Sequence, residues 1–241
     1  VMIEKKYLEG IGVVSLDAGF TLIYPEPPVG HAYASMAARF GYQLPEREVH
    51  ARFVKVWLER NASNRDLRAD NAMADEARSY LWWKKIFIDS IGDMLAPADI
   101  EPVFQVCFEE YARGEYWAIY PDVLPLLSGL KERGCRLVVM SNWDRRLQKT
   151  MQDLGLTPLF EKVYISTLIG YAKPDPAVFH HIIADLGVPV SSLLHIGDSL
   201  EEDIAAANSA GIRSLLIDRP SRYTAQPVQV PVLSSLAQVL D

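Results

Sequence analysis

Four polar positions in this chain stand where chemistry is done in an open α/β sheet. Asp17 follows a short β-rich apolar run at 12–16, and Ser141 follows a second at 136–140. Lys173 lies in the loop after a third at 162–165, and Asp198 comes just after a fourth at 193–196. Ligands of parallel sheets bind beyond the carboxyl ends of the strands. The order therefore predicts a carboxylate, a hydroxyl, an ammonium and a second carboxylate on one face, with Asp203 adding a third acid. Taken singly, each residue has an ordinary explanation. Asp17 suits a turn, Ser141-Asn142 is a common loop dipeptide, a loop lysine is usually solvated, and Asp198 and Asp203 suit a helix N-terminus. Their joint order, each at a strand end, is what points to a site.

Those positions need elements to hold them. With a fifth strand run at 214–217, the runs from Arg136 onward alternate with helical patterns, the rhythm of a parallel sheet with crossover helices. Asp122 opens a helix with Leu124, Leu127 and Leu130 inward and Gly134 at its end. Asp144 opens the next, with Leu147, Met151 and Leu154 inward, before Gly155. Asp175-Pro176 starts a third through Val178, Phe179, Ile182, Ile183 and Leu186 to Gly187, and a fourth carries Ile204 and Ala207 and stops at Gly211. An acid at the start and glycine just past the end satisfy groups that a helix leaves unpaired.

Between the first two strands the rhythm changes. Four apolar faces recur near a 3.6 period. They run through Val29, Tyr33, Ala37 and Phe40; through Val49, Phe53, Val56 and Trp57; through Ala77, Tyr80, Leu81, Phe87, Ile88 and Ile91; and through Ile100, Val103, Phe104, Cys107, Phe108 and Tyr111. This predicts an all-helical insertion, entered through the stiff Pro25-Glu26-Pro27-Pro28 stretch and left near Gly114, with a mobile loop at 61–71. Trp57, Trp82 and Trp83 are first of all its core, and an excess on one face would make a substrate wall or a dimer patch. His195, inside an apolar strand, reads as a satisfied core histidine.

Composition narrows the function classes. The 241 residues are enough for a large core, and a formal charge of −7 argues against a nucleic-acid binder. An anionic substrate stays compatible, since one lysine and a metal reverse the field locally. Cys107 and Cys135 sit among apolar neighbours and are expected as buried free thiols in a reducing, cytoplasmic setting. No stretch reaches the roughly 18 apolar residues of a membrane span.

The pieces Asp17-Ala18-Gly19-Phe20-Thr21, Ser141-Asn142, Lys173-Pro174-Asp175-Pro176 and Gly197-Asp198 with Asp203 resemble the four motifs of the haloacid dehalogenase-like hydrolases. The resemblance implies an α/β fold, a Rossmann-like parallel sheet at 1–24 and 116–241 with a helical cap inserted at 25–115. It implies Asp17 as nucleophile and a Mg2+ ion held by Asp17, the Gly19 carbonyl, Asp198 and Asp203, and oxygen-only donors do select magnesium over zinc. It implies Lys173 as a catalytic and phosphate-neutralising amine, with Thr21, Ser141 and Asn142 as further phosphate contacts. The substrate is then a small phosphorylated molecule enclosed by the cap. Oligomeric state is not legible.

One position departs from the pattern. The family's phosphatases carry a second aspartate two residues after the nucleophile, as general acid and base; here that residue is Gly19. The expectation is slow turnover or an accumulating phospho-aspartate, unless Asp144, Glu26 or a cap residue substitutes. Two alternatives stay open. One is a 2-haloacid dehalogenase, which also lacks that aspartate but has neither magnesium nor the acidic pair. The other is a non-catalytic module that binds a phosphorylated ligand or a partner. A phosphonatase-like reading would need a Schiff-base lysine such as Lys55, Lys84 or Lys85.

Overall fold

The computed structural model describes residues 8–63, 72–223 and 229–240. Strands β1 (Val13–Leu16) and β2 (Ile23–Pro25) are followed by helices α1 (Val29–Ala38), α2 (Glu46–Ser63), α3 (Glu76–Ile91) and α4 (Ile100–Glu110). Strand β3 (Trp117–Ile119) returns the chain to α5 (Val123–Glu132), β4 (Arg136–Ser141), α6 (Arg146–Asp153), β5 (Lys162–Ile165), α7 (Ser166–Ile169) and α8 (Ala177–Leu186). Then come β6 (Leu193–Gly197), a π-helical turn at Leu200–Ile204, α9 (Ala205–Ser209), β7 (Arg213–Ile217) and β8 (Val232–Leu233). Six strands form one sheet in the order β5-β4-β1-β6-β7-β8, with every pairing parallel.

Alternation along the central strands builds two cores. Val14, Leu16, Val139, Leu194 and Ile196 pack toward α5 and α6 through Leu126, Leu127, Leu130, Leu147 and Met151. Val13, Val138, Met140 and Leu193 face Val178, Phe179 and Ile182 of α8 and the alanines of α9. Both faces are covered, which is why the strands read as continuous apolar runs. The helices at 29–110 have a separate core around Tyr33, Val49, Phe87, Val103, Phe104 and Phe108.

Several local expectations change. Leu124 is 51% exposed and Leu126 takes its inward place. Asp122 begins α5 without capping it; its carboxylate instead binds Arg219, Ser235 and the Leu236 amide. On α3, Leu81 and Ile88 are exposed, while Ser79, Trp82, Ile86 and Ser90 are buried. Phe40 lies beyond the end of α1 and is exposed. Part of the loop expected at 61–71 is helix, since α2 runs to Ser63, and 64–71 lie outside the described residues. The β2–β3 ribbon was not anticipated: its two strands are three residues long, antiparallel, and nearly a hundred residues apart in sequence. It carries the chain out to the helices and back.

The insertion is fastened to the core by a buried ion pair. Arg146 of α6 reaches Asp144 through two nitrogens at 2.8 and 2.7 Å, donates to the Phe108 carbonyl at 3.1 Å, and lies 3.6 Å from the Phe108 ring centre. Ser79 of α3 donates to the same Asp144. Within the insertion, α1 meets α2 at Gly30, where a Cβ would stand 2.1 Å from the Glu46 carbonyl oxygen. Helix propensity alone favours alanine there by about 1 kcal/mol. Because the obstacle is backbone, Gly30→Ala is expected to cost at least about 2 kcal/mol instead. Urea denaturation checks this, and a stabilised variant would show that the two helices can separate freely.

Candidate active site

β1, β4 and β6 are adjacent at the middle of the sheet, so their carboxyl ends bring Asp17, Ser141 and Asp198 to one mouth. The loop after α7 delivers Lys173. Lys173 is 4% exposed, and its ammonium donates to Asp17 Oδ1 at 2.7 Å, Asp203 Oδ1 at 2.5 Å and the Met140 carbonyl at 3.1 Å. A lysine has three N–H bonds, and all three are engaged.

The backbone of Lys173 is fixed as firmly. Asn142 accepts from the Lys173 amide at 2.8 Å and donates to its carbonyl at 2.7 Å, with a second donor bond to Glu202 at 3.0 Å. Both amide protons of Asn142 are therefore committed. Its side chain positions Lys173 and has no donor left for a phosphate.

Asp203 is held from behind. His195 Nε2 stands 2.9 Å from its Oδ1, and Nδ1 stands 3.1 Å from Ser15 Oγ on the neighbouring strand. With the proton on Nε2, the ring donates to Asp203 and accepts from Ser15. The Ser199 amide donates to Asp203 Oδ2 at 3.0 Å. The π-helical turn folds this carboxylate back over Gly197, where a Cβ would stand 2.1 Å from Asp203 Cγ. Glycine is the one residue that fits.

Charge in this pocket is unevenly balanced. Burial alone would depress the Lys173 ammonium, but Asp17 and Asp203 raise it well above the usual lysine range. Burial raises the Asp17 carboxyl, and Lys173 opposes that rise. Lys173 and His195 overcome desolvation at Asp203 and keep it ionised far into acid. Asp198 is pushed up to about 7 by burial and by the neighbouring Asp203 and Asp17, against the pull of Arg222. Burial likewise raises Glu202 to about 7. One oxygen from each of Asp17, Asp198 and Asp203 lies within 4.8 Å of the others. An all-oxygen set with surplus negative charge fits a hard divalent cation.

The site opens into a cavity of about 960 Å³ whose lining includes Asp17, Gly19, Ser141, Lys173, Asp198 and Asp203. Thr21 is the exception among the expected residues. It is completely buried behind the loop, does not line the cavity, and its hydroxyl has no partner. Asp144 and Glu26 do not line the cavity either, and Asp144 is taken up by Arg146. None of Lys55, Lys84 and Lys85 lines it, and Lys84 pairs with Glu101.

A profile described as haloacid dehalogenase-like hydrolase matches residues 12–211, most of the chain and all of the cluster. The protein belongs to the haloacid dehalogenase-like hydrolases. Among curated relatives, a haloacid dehalogenase-like hydrolase domain-containing protein 3 of Danio rerio is 29% identical over 205 residues, covering 84% of this chain and 83% of the relative. A ribulose-1,5-bisphosphate 5-phosphatase of Halopiger xanaduensis is 27% identical over 198 residues, covering 81% and 80%. A crystal structure of a phosphatase of this family from Thermococcus onnurineus aligns with TM-score 0.64 at 22% identity, over 95% of this chain and 96% of that one. That likeness shows the fold.

In this hydrolase, position 19 is glycine and its place is bounded by Trp143, whose Cζ3 would stand 3.3 Å from an added Cβ. Phe20 follows with φ of 57°, a left-handed conformation that costs a non-glycine residue roughly 1–2 kcal/mol, and its ring reaches Trp57 of α2 at 6.0 Å. Sequence reasoning missed the part played by His195, Glu202 and Phe20. Glu202 alone left a signal, as one more acid beside Asp203. Replacing Lys173 by Met would leave the buried carboxylates uncompensated, at about 3–5 kcal/mol of stability. Urea denaturation should read that loss in Lys173→Met, and a change under about 1 kcal/mol would mean the acids are balanced by something else.

Proposed function

We propose that this hydrolase is a magnesium-dependent phosphatase that acts through an aspartyl-phosphate on Asp17. The observation that carries the reading is the Lys173 ammonium, shared between Asp17 and Asp203 beside Asp198. Lys173 engages Oδ1 of Asp17, and Oδ2 is the oxygen that would attack phosphorus. The bond from phosphorus to the ester oxygen breaks, and the leaving alkoxide takes its proton from water. Water then attacks the same phosphorus, freeing inorganic phosphate and restoring the carboxylate. Lys173 neutralises charge on the phosphoryl group, and the Ser141 hydroxyl, 2% exposed at the end of β4, donates to one of its oxygens. Magnesium, held by Asp17, Asp198 and the Gly19 carbonyl with Asp203 at its side, would supply the positive charge that draws two anions together.

In this reading the core comprises residues 1–24 and 116–241, and residues 25–115 are a cap that shields the cleft from water. The phosphatase name of the Halopiger relative supports the assignment. So does the acidic trio, for which a metal-free 2-haloacid dehalogenase would have no use. Cys107 and Cys135, buried and unbridged, suit a reducing compartment such as cytoplasm.

Gly19 leaves the leaving group without its usual acid. Phosphate release in magnesium is therefore expected to be slow, lost in chelator and lost in Asp17→Asn. Gly19→Asp, with Trp143 yielding a few tenths of an ångström, is expected to raise kcat by about tenfold or more. Phosphate release that persists in chelator or in Asp17→Asn would end the proposal, as would chloride release from a 2-haloacid in chelator.

A further inference from the structure

The cavity that begins at Asp17 is much larger than a phosphoryl group needs, and its far walls are rings. At about 960 Å³ it stands near the top of the roughly 300–1,000 Å³ range that encloses drug-sized ligands. A continuous series of ring contacts runs outward from the nucleophile loop. Trp143, beside Gly19, meets Trp117 at 5.1 Å between centroids, and Trp117 meets Tyr111 at 5.3 Å. Tyr111 meets Tyr33 at 6.1 Å, and Tyr33 meets Phe53 of α2 at 5.8 Å.

The polar groups set among these rings fall into two kinds. Arg146 is engaged by Asp144 and the Phe108 carbonyl, and the Thr150 hydroxyl donates to the Ala112 carbonyl at 2.8 Å. The Tyr111 hydroxyl, the Trp82 indole nitrogen and His50 Nδ1 are different: they are buried atoms with no hydrogen-bond partner, on residues that line the cavity. Trp82 is only 6% exposed. These three atoms are sealed behind the wall, so they offer a ligand no polar contact. A polyhydroxylated body fares badly there, since each hydroxyl gives up water to meet a ring or a group already satisfied.

We propose that the alcohol half of the substrate is a flat aromatic or heteroaromatic body with few hydroxyls. It lies among these rings while its phosphate ester reaches Asp17 and Lys173. The phosphate end rests on the phosphatase reading, whereas the nature of the body follows from the chamber alone.

Calorimetric binding to the Asp17→Asn protein in magnesium buffer tests this without turnover. The probes are 2-naphthyl phosphate, glycerol 3-phosphate and 2-naphthol. The aryl phosphate is expected to bind about thirtyfold or more tighter than glycerol 3-phosphate. Adding Phe53→Ala should shrink that difference. Glycerol 3-phosphate binding as tightly as the aryl phosphate would overturn the proposal, and so would an aryl preference untouched by the variant. If 2-naphthol binds as tightly as its phosphate, the chamber assignment stands and the phosphatase reading fails.

Discussion

An ammonium taken out of water loses solvation that only close, well-aimed anions and dipoles can replace. Lys173 is in that position, and what replaces its water comes from three separate places in the chain: the end of β1, the end of β4 and the turn after β6. The requirement works in both directions, because Asp17 and Asp203 could not be buried together without it. Much of the surrounding detail follows. Asn142 clips the Lys173 backbone, His195 and Ser199 hold Asp203, and Gly197 is bare because Asp203 occupies the space a side chain would need.

Above this charged floor the insertion builds a chamber of a different kind. Its helices have their own core and are tied to the sheet domain through Arg146 and Asp144, a buried pair that meets both α3 and α4. Low-dielectric walls strengthen every charge interaction beneath them, so the aromatic chamber serves the electrostatics of the floor. The same enclosure reaches position 19, where Trp143 would stand 3.3 Å from an added Cβ.

The sheet was legible in sequence because strands buried on both faces read as short apolar runs, and five of its six strands stand where such runs occur. Asp17, Ser141, Lys173 and Asp198 were legible for a related reason: a parallel sheet sends every strand end to the same side. What escaped detection depends on distant partners. Asp122 has the local look of a helix cap, yet its carboxylate binds groups about a hundred residues downstream. Along α3 the stretch Tyr80-Leu81-Trp82-Trp83 is apolar on nearly every side, so periodicity cannot set the phase, and the buried face turns on Trp82 rather than Leu81. His195 was legible as a satisfied core residue, but its satisfaction consists of orienting Asp203, which no local pattern reveals. Thr21 matches a motif in order yet points into the core, because motif order does not fix side-chain direction.

Membership of the family gives the hydrolase its architecture, while the proposed chemistry depends on a cation and an oxyanion meeting beside the buried amine. The most direct measurement is a crystal structure of the protein with magnesium and orthovanadate. Vanadium is expected on the free oxygen of Asp17, with Lys173 still on the other oxygen, Ser141 in contact with an equatorial oxygen and the ion between Asp17 and Asp198. Vanadate bound elsewhere, or Lys173 turned away from Asp17 in the occupied site, would contradict the proposed chemistry.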